Sequence, residues 1–88
     1  MVATYRRAKD LMEAEIGAEL VALDAEGGSC FGFNEVATSV WRSLEQPRTF
    51  DELSDELTAS YEVSTEQCSS ELQELIADLL RKGLITCA

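Results

Sequence analysis

Three cysteines are the first group of side chains in this sequence that could take part in chemistry. Cys30, Cys68 and Cys87 lie far apart in the chain, which contains no histidine. The usual zinc-ligand spacings and any histidine-based catalysis are therefore excluded. A thiol nucleophile needs a nearby base or a helix N-terminus, and Cys68 comes closest because a helix is predicted to begin just before it. An odd number of cysteines fits free thiols in a reducing cytoplasm, so we interpret all three as core or surface residues.

Carboxylates are the second candidate group. They cluster in one predicted helix, at Asp51, Glu52, Asp55 and Glu56. Acid–base catalysis needs partners that define a reaction, and no histidine, lysine or metal ligand accompanies these carboxylates. Gly27 and Gly28 are not followed by a lysine, so they do not form a phosphate-binding loop. The sequence predicts a protein that is not an enzyme and that requires no cofactor or metal.

The charge of the chain excludes further classes of function. Seventeen acidic residues against seven basic ones give a net charge of −10, and no basic residue lies between Thr49 and Leu80. Binding to nucleic acid or to an anionic membrane surface requires clustered lysine and arginine, so we expect neither partner. No stretch has the pattern of a membrane span or a signal peptide, and we therefore expect a cytoplasmic protein.

The length of 88 residues predicts a single domain. We expect residues 1–10 to be an irregular basic arm and residues 11–88 to be the folded domain. Strand-forming residues bounded by turn signals predict strands over residues 11–16, 18–24 and 29–33. The first of these segments also fits a helical turn.

Three helices are predicted after the strands. Asn34 is a good N-cap, and Thr49 and Ser64 each begin a capping-box sequence. Gly83 is well placed to end the last helix in a left-handed conformation. The expected fold class is α+β, with a three-stranded antiparallel sheet followed by three α-helices.

The last predicted strand, SCFGF at residues 29–33, is expected at an edge of the sheet. Edge strands usually carry lysine, proline or a bulge that blocks pairing with another chain, and this strand has none of them. Phe31 and Phe33 alternate onto one face, and Gly32 would let another backbone approach closely. An extended peptide could add to this strand and place side chains beside the third helix. The alternative is a short, twisted edge that needs no protection.

Residues 19–85 resemble the PqqD-like family, also called recognition elements for ribosomally synthesised and post-translationally modified peptides. The motifs that carry the resemblance are CFGFN at the end of the third strand, Trp41-x-x-Leu44, RTFDEL, Tyr61 and the final L-x-x-GLI. Proteins of that family are small winged-helix-like domains that bind the leader segment of a precursor peptide and present its core to modifying enzymes. The resemblance thus implies a winged-helix-like fold and a leader peptide as the partner.

The resemblance also implies a site, in which the leader adds to the third strand and packs against the third helix. Carried over by position, the residues for main-chain pairing are Cys30, Phe31, Gly32 and Phe33. The implied groove residues are Leu72, Leu75, Ile76, Asp78, Leu79 and Lys82. Phe33 departs from the family, since most members have leucine before the asparagine that caps the first helix, and it is expected to alter the pocket.

The stand-alone form resembles the recognition proteins of lasso-peptide systems, whose partners are a leader peptidase and a cyclase. The nearest alternative is the peptide carrier of pyrroloquinoline quinone biosynthesis, which serves a radical S-adenosylmethionine enzyme. Two hypotheses come from other classes. One is a winged-helix nucleic-acid binder, which the acidic third helix opposes. The other is a non-catalytic acidic dimerisation or structural module that uses the same edge strand.

Overall fold

The computed structural model describes residues 2–88, which form two three-stranded antiparallel sheets and three helices. The strands are β1 (Thr4–Arg7), β2 (Met12–Ile16), β3 (Glu19–Asp24), β4 (Ser29–Phe33), β5 (Arg48–Thr49) and β6 (Ile85–Cys87). The helices are α1 (Glu35–Ser43), α2 (Phe50–Ser60) and α3 (Thr65–Arg81). The main sheet has the order β2-β3-β4 and the minor sheet the order β5-β1-β6. The predicted α+β class, with a three-stranded antiparallel sheet before three helices, is confirmed.

Two short turns build the main sheet. Gly17 begins the turn between β2 and β3 at a φ of +66°, and Gly28 ends the turn between β3 and β4 at +71°. Glycine adopts these left-handed conformations without a steric penalty. The three strands lie within a residue of the bounds predicted from the sequence, so the segment at residues 11–16 is a strand and not a helical turn.

The main sheet buries one of its two faces. Leu20 and Ala22 of β3 and Phe33 of β4 are buried, whereas Leu23 on the opposite face is exposed. Helix α1 packs across β3 and β4, and the ring centroids of Trp41 and Phe33 lie 5.5 Å apart. Because helices cover only one face, apolar residues alternate along the strands.

Helices α1 and α2 begin where the caps were predicted. The Asn34 side chain accepts a hydrogen bond from the N–H of Ala37 at 2.9 Å. Thr49 Oγ1 accepts from the N–H of Glu52 at 3.1 Å, and the Glu52 carboxylate accepts from the N–H of Thr49 at 2.8 Å. These bonds satisfy backbone donors that a helix N-terminus leaves without partners.

Helix α3 forms only half of its predicted capping box. Ser64 Oγ accepts from the N–H of Gln67 at 3.1 Å, but the Gln67 amide turns along the helix to Glu71, at 3.4 Å. Cys68 is buried, and Val63 is half-buried against the same core. Both residues occupy the positions of a hydrophobic staple, so Cys68 has a structural role at the start of the helix.

The last turn of α3 closes in a Schellman motif. The N–H of Gly83 donates to the carbonyl of Leu80, and the N–H of Leu84 donates to the carbonyl of Leu79, each at 3.0 Å. Gly83 has a φ of +73°. Leu84 is buried, so the chain folds back over the core and enters β6.

The N-terminal segment corrects the expectation of an irregular arm at residues 1–10. Met1 lies outside the described residues, but Thr4–Arg7 form β1, the central strand of the minor sheet. Backbone hydrogen bonds join Thr4 and Ala88 in both directions, at 3.0 and 2.8 Å. The strand forms because its partners come from distant parts of the chain, which the local pattern of TYRR does not reveal.

Arg7 connects the minor sheet to the rest of the protein. Its guanidinium lies 4.3 Å from the centroid of the Trp41 ring, and its Nε donates to the Trp41 carbonyl at 3.1 Å. Trp41 Nε1 donates to the Glu13 carboxylate at 3.1 Å, and Arg7 Nη1 lies 3.7 Å from that carboxylate. Strands β1 and β2 and helix α1 therefore meet around one buried indole.

Replacing Arg7 tests whether β1 is an integral strand. Arg7→Ala should lower the free energy of unfolding by about 2 kcal/mol, because it removes hydrogen bonds to a carbonyl and a partly buried cation–π contact. Arg6→Ala, in the exposed neighbouring residue, should change it by less than about 0.5 kcal/mol. Urea unfolding followed by Trp41 fluorescence measures both variants. Equal stability of the two would contradict this role of Arg7.

Candidate functional site

The two edges of the main sheet differ in their protection. At one edge, β2 points Glu13 and Glu15 toward α1, where they meet Trp41 and Arg42. Inward-pointing charges are one of the features that keep an edge strand from pairing. At the other edge, β4 pairs with β3 on one side, and within residues 2–88 no strand pairs with its other side. Since β4 has no charged side chain, it is the open edge.

Cys30 and Gly32 direct their backbone groups to this open edge. In an antiparallel strand, successive residues direct their N–H and C=O groups to opposite sides. The carbonyl of Asp24 faces β4, because it accepts from the N–H of Gly28 across the turn at 2.8 Å. Asp24 pairs with Ser29, so Ser29 and every second residue after it face β3. The residues between them, Cys30 and Gly32, are left to face outward.

The side chains of β4 divide between the two faces of the sheet. Phe31 is half-buried and Phe33 buried on the helix side. Cys30 is exposed on the other face, and a methyl group added at Gly32 would meet no atom within 4 Å. Phe33 packs on Trp41 within the core.

Helix α3 presents one stripe of residues beside β4. The stripe consists of Glu71, Leu75, Asp78 and Lys82, which recur at i, i+4, i+7 and i+11 and therefore share a face of the helix. Lys82 Nζ lies 6.0 Å from the centroid of the Phe31 ring, which brings this end of the stripe against the strand. Leu75 is half-buried against the core. The surface between β4 and α3, called the groove below, thus has the half-buried Leu75 at its middle and charged residues toward its two ends.

One end of the groove is cationic, because Arg81 and Lys82 surround Asp78 there. Lys82 Nζ lies 2.9 Å from Asp78 Oδ2, and Arg81 also pairs with Asp78. The hydrogen bond from Lys82, together with both nearby cations, holds the pKa of the Asp78 carboxyl below its ordinary range. Two cations share one carboxylate, so this end keeps a net positive charge at neutral pH.

A small apolar pocket lies at the opposite end of the stripe. Its volume is about 90 Å³, and its lining residues are Val36, Leu57, Tyr61, Val63, Cys68 and Glu71. Val36 lies in the first turn of α1, three residues after the end of β4. Neither this pocket nor Glu71 as a site residue was predicted from the sequence. The sequence feature that could have identified Glu71 is its spacing, because it lies four residues before Leu75 and eleven before Lys82 and so shares their face of α3.

The structure corrects part of the predicted groove. Leu72, Ile76 and Leu79 are 0%, 4% and 2% exposed, so they belong to the core and not to an open groove. Their spacing places them on the face of α3 that packs inward, and the groove stripe lies beside that face. Of the residues predicted for main-chain pairing, Cys30 and Gly32 direct their backbone groups to the open edge, whereas those of Phe31 and Phe33 face β3 and are not free to pair. Leu75, Asp78 and Lys82 lie on the stripe of α3.

Three other features limit what the protein can do. Within residues 2–88, no group of three or more histidine, cysteine or acidic side chains could hold a metal ion. Cys30, Cys68 and Cys87 are free thiols, of which Cys68 is buried. In the same part of the chain, none of the helices combines the length and the apolar character needed to span a bilayer.

Asp24 holds the turn that leads into β4. Its Oδ1 accepts from the N–H groups of Glu26 and Gly27, each at 3.1 Å, and its Oδ2 accepts from Lys9 Nζ at 3.0 Å. The hydrogen bond from Gly27, followed by the one from Lys9, holds the pKa of the Asp24 carboxyl below its ordinary range. This carboxylate therefore fixes the position at which the open strand begins.

The lowered pKa of Asp24 predicts a pH dependence of stability. A carboxyl whose pKa falls on folding stabilises the protein above its unfolded pKa of about 4, and this stabilisation is lost as the pH falls through the lower folded value. Asp24→Asn should be less stable than the wild type at pH 7, and the difference should disappear in acid. Urea unfolding midpoints across this range measure it, with exposed Asp10→Asn as the control. A difference independent of pH would contradict the assignment.

The fold and the site together define a class of protein: a small α+β domain with an open sheet edge beside a helix. The chain belongs to the family described as Coenzyme PQQ synthesis protein D (PqqD), whose model matches residues 19–85. The resemblance predicted from the sequence is thereby confirmed. No curated protein sequence gives a significant match to the chain.

Two solved structures are similar to the chain. One is described as TbiB1 in complex with the TbiA(beta) leader peptide, at 26% identity over 91% of this chain and 93% of that chain, with a TM-score of 0.79. The other is a lasso peptide synthetase B1 complexed with the leader peptide, at 23% identity over 93% of this chain and 96% of that chain, with a TM-score of 0.75. The second likeness shows the fold alone.

Proposed function

We propose that this protein binds the leader segment of a ribosomally made precursor peptide by strand addition to β4. The observation that carries the proposal is the open edge of β4, where Cys30 and Gly32 direct free backbone groups beside the α3 stripe. Main-chain pairing at such an edge supplies affinity, and pockets for alternate side chains supply specificity. The similar structures, which hold leader peptides, support this proposal.

The energetics require apolar contacts in addition to the strand. Cys30 and Gly32 together offer about four ladder hydrogen bonds, worth about 2–6 kcal/mol in total. Micromolar binding needs about 8 kcal/mol, after the cost of ordering the peptide is met. Buried apolar side chains contribute about 1.5–3 kcal/mol each. We assign these contacts to Leu75, Phe31 and the apolar pocket beside Val36.

The protein would act as a non-catalytic partner that delivers the precursor to modifying enzymes. The likeness to lasso peptide synthetase proteins favours a leader peptidase and a cyclase as those enzymes. A radical S-adenosylmethionine enzyme of pyrroloquinoline quinone biosynthesis is the second candidate, because the family takes its description from that pathway. Since the precursor is made on ribosomes, binding would take place in the cytoplasm.

Amide NMR of the labelled protein tests the proposal directly. The probe is the leader half of a short precursor peptide identified from the genes that neighbour this one. Strand addition should slow hydrogen exchange at Cys30 and Gly32 and shift the amides of the α3 stripe. If instead the free protein is a dimer with these amides already protected, a second copy closes the edge and the proposal is wrong.

Gly32→Pro tests the role of the strand. Proline removes the outward N–H of residue 32, while the bonds between β3 and β4 involve the alternate residues. Peptide binding should be lost with the circular dichroism spectrum unchanged. Gly32→Ala is the matched control and should bind like the wild type, because it keeps the N–H and its methyl group projects out of the sheet, where it meets no other described atom within 4 Å. Unchanged affinity of the proline variant would exclude strand addition at this edge.

Leu75→Glu tests the role of the helix. A charge at this half-buried position should weaken binding at least tenfold, because it replaces an apolar contact of about 1.5–3 kcal/mol. Leu80→Glu is the matched control, since Leu80 is 39% exposed and lines a different cleft of α3 with Tyr5 and Phe50. Fluorescence anisotropy of the labelled leader measures both affinities, and urea unfolding checks that the variants are folded. An equal loss of affinity in the two variants would show that Leu75 does not contact the peptide.

A further inference from the structure

We infer that the groove selects a peptide strand with opposite charges at its two ends, in the pattern Lys/Arg-x-apolar-x-Asp/Glu. The inference rests on the proposed function and specifies the class of peptide that this site takes. It follows from three members of the α3 stripe. Glu71 lies at one end, Lys82 at the other, and Leu75 between them.

The two ends of the groove carry opposite charges. Glu71 is exposed at the rim of the apolar pocket, and among residues 2–88 its carboxylate meets only the neutral amide of Gln67, at 3.4 Å. No basic residue precedes Arg81 in α3, so the negative charge at this end is not neutralised on the helix. At the other end, Arg81 and Lys82 share the single carboxylate of Asp78. A peptide that matches both ends must itself be bipolar.

The pocket beside Glu71 favours a long basic side chain. Lysine and arginine bury an apolar stem and keep the charged head at the surface. The pocket is apolar apart from Glu71 at its rim and has a volume of about 90 Å³. An aliphatic stem fits against Val36 and Tyr61, while the charged head reaches the Glu71 carboxylate. A purely apolar residue would leave that carboxylate without a cationic partner.

The spacing of the pattern follows from the geometry of helix and strand. Glu71 and Lys82 are eleven positions apart, which is about 16 Å along a helix. Side chains on one face of a strand lie two residues apart, so positions i and i+4 are separated by about 13 Å. The long charged side chains cover the remaining difference. Position i+2 then falls opposite Leu75, which requires an apolar residue there.

The direction of the pattern follows from the pairing. Strand β4 runs from the Lys82 end, beside Phe31, toward the Glu71 end, beside Val36. Every strand pair in this protein's described residues is antiparallel, and antiparallel pairing is slightly more stable per residue. The N-terminal end of an antiparallel peptide therefore lies at Glu71 and its C-terminal end at Lys82. The basic residue of the pattern is thus N-terminal to the acidic residue.

Peptide display tests this pattern with random sequences, so that no particular leader has to be chosen. The probes are binders selected from a phage-displayed library of random peptides on the wild-type protein and on Glu71→Lys. Wild-type binders should carry the pattern, and Glu71→Lys should weaken them about fivefold, the size expected for an exposed ion pair. Replacing the basic residue of a binder by glutamate should restore its affinity for Glu71→Lys. Glu74→Lys makes the same charge change off the stripe and should leave affinity unchanged.

The outcomes separate this inference from the proposed function. If binders protect the amides of Cys30 and Gly32 but show no charge preference, strand addition stands and the bipolar pattern is wrong. Equal effects of Glu71→Lys and Glu74→Lys would also overturn the pattern, since they would indicate a general effect of net charge. If no binder protects those amides, the bipolar pattern is wrong, and the leader titration described above decides separately whether the proposed function stands.

Discussion

The structure depends on the burial of one indole ring with its N–H group satisfied. Trp41 is fully buried, and a buried donor without a partner costs about 1–3 kcal/mol. Its partner is the Glu13 carboxylate, which must therefore point inward from β2. The same carboxylate lies near Arg7, which ties β1 to the core. By turning Glu13 inward, the indole protects one edge of the main sheet and leaves β4 as the open edge.

Helix α3 serves the core and the groove with separate residues. Leu72 and Leu79 are buried in the core, whereas Glu71 and Lys82 lie at the surface of the groove. Leu75 borders both. In the proposed site, substitutions at Glu71 and Lys82 would therefore change what the groove binds with little effect on core packing. Under the proposed function, peptide specificity and stability would then depend on different positions of the same helix.

The parts of the fold that could be predicted from the sequence are those with local signals. Asn34, Thr49 and Gly83 act on residues three to five positions away, so their effects are visible in a short segment. Strand β1 could not be predicted because its hydrogen bonds are to residues near 48 and 86, and no local pattern indicates such pairing. The groove was predicted only in part for a related reason. Apolar periodicity identifies the buried face of α3, but which flank of that face borders β4 depends on how the helix lies against the sheet.

The pairing of Thr4 with Ala88 has a consequence for how this domain could be joined to another protein. Thr4 and Ala88 lie side by side in the minor sheet, connected by hydrogen bonds of 2.8 and 3.0 Å. A tether attached to either end would start from nearly the same point, and β6 follows directly from the Lys82 end of the groove. For a fused enzyme, linker length and stiffness would then set the effective concentration of its active site at the bound peptide. The choice of terminus would matter little.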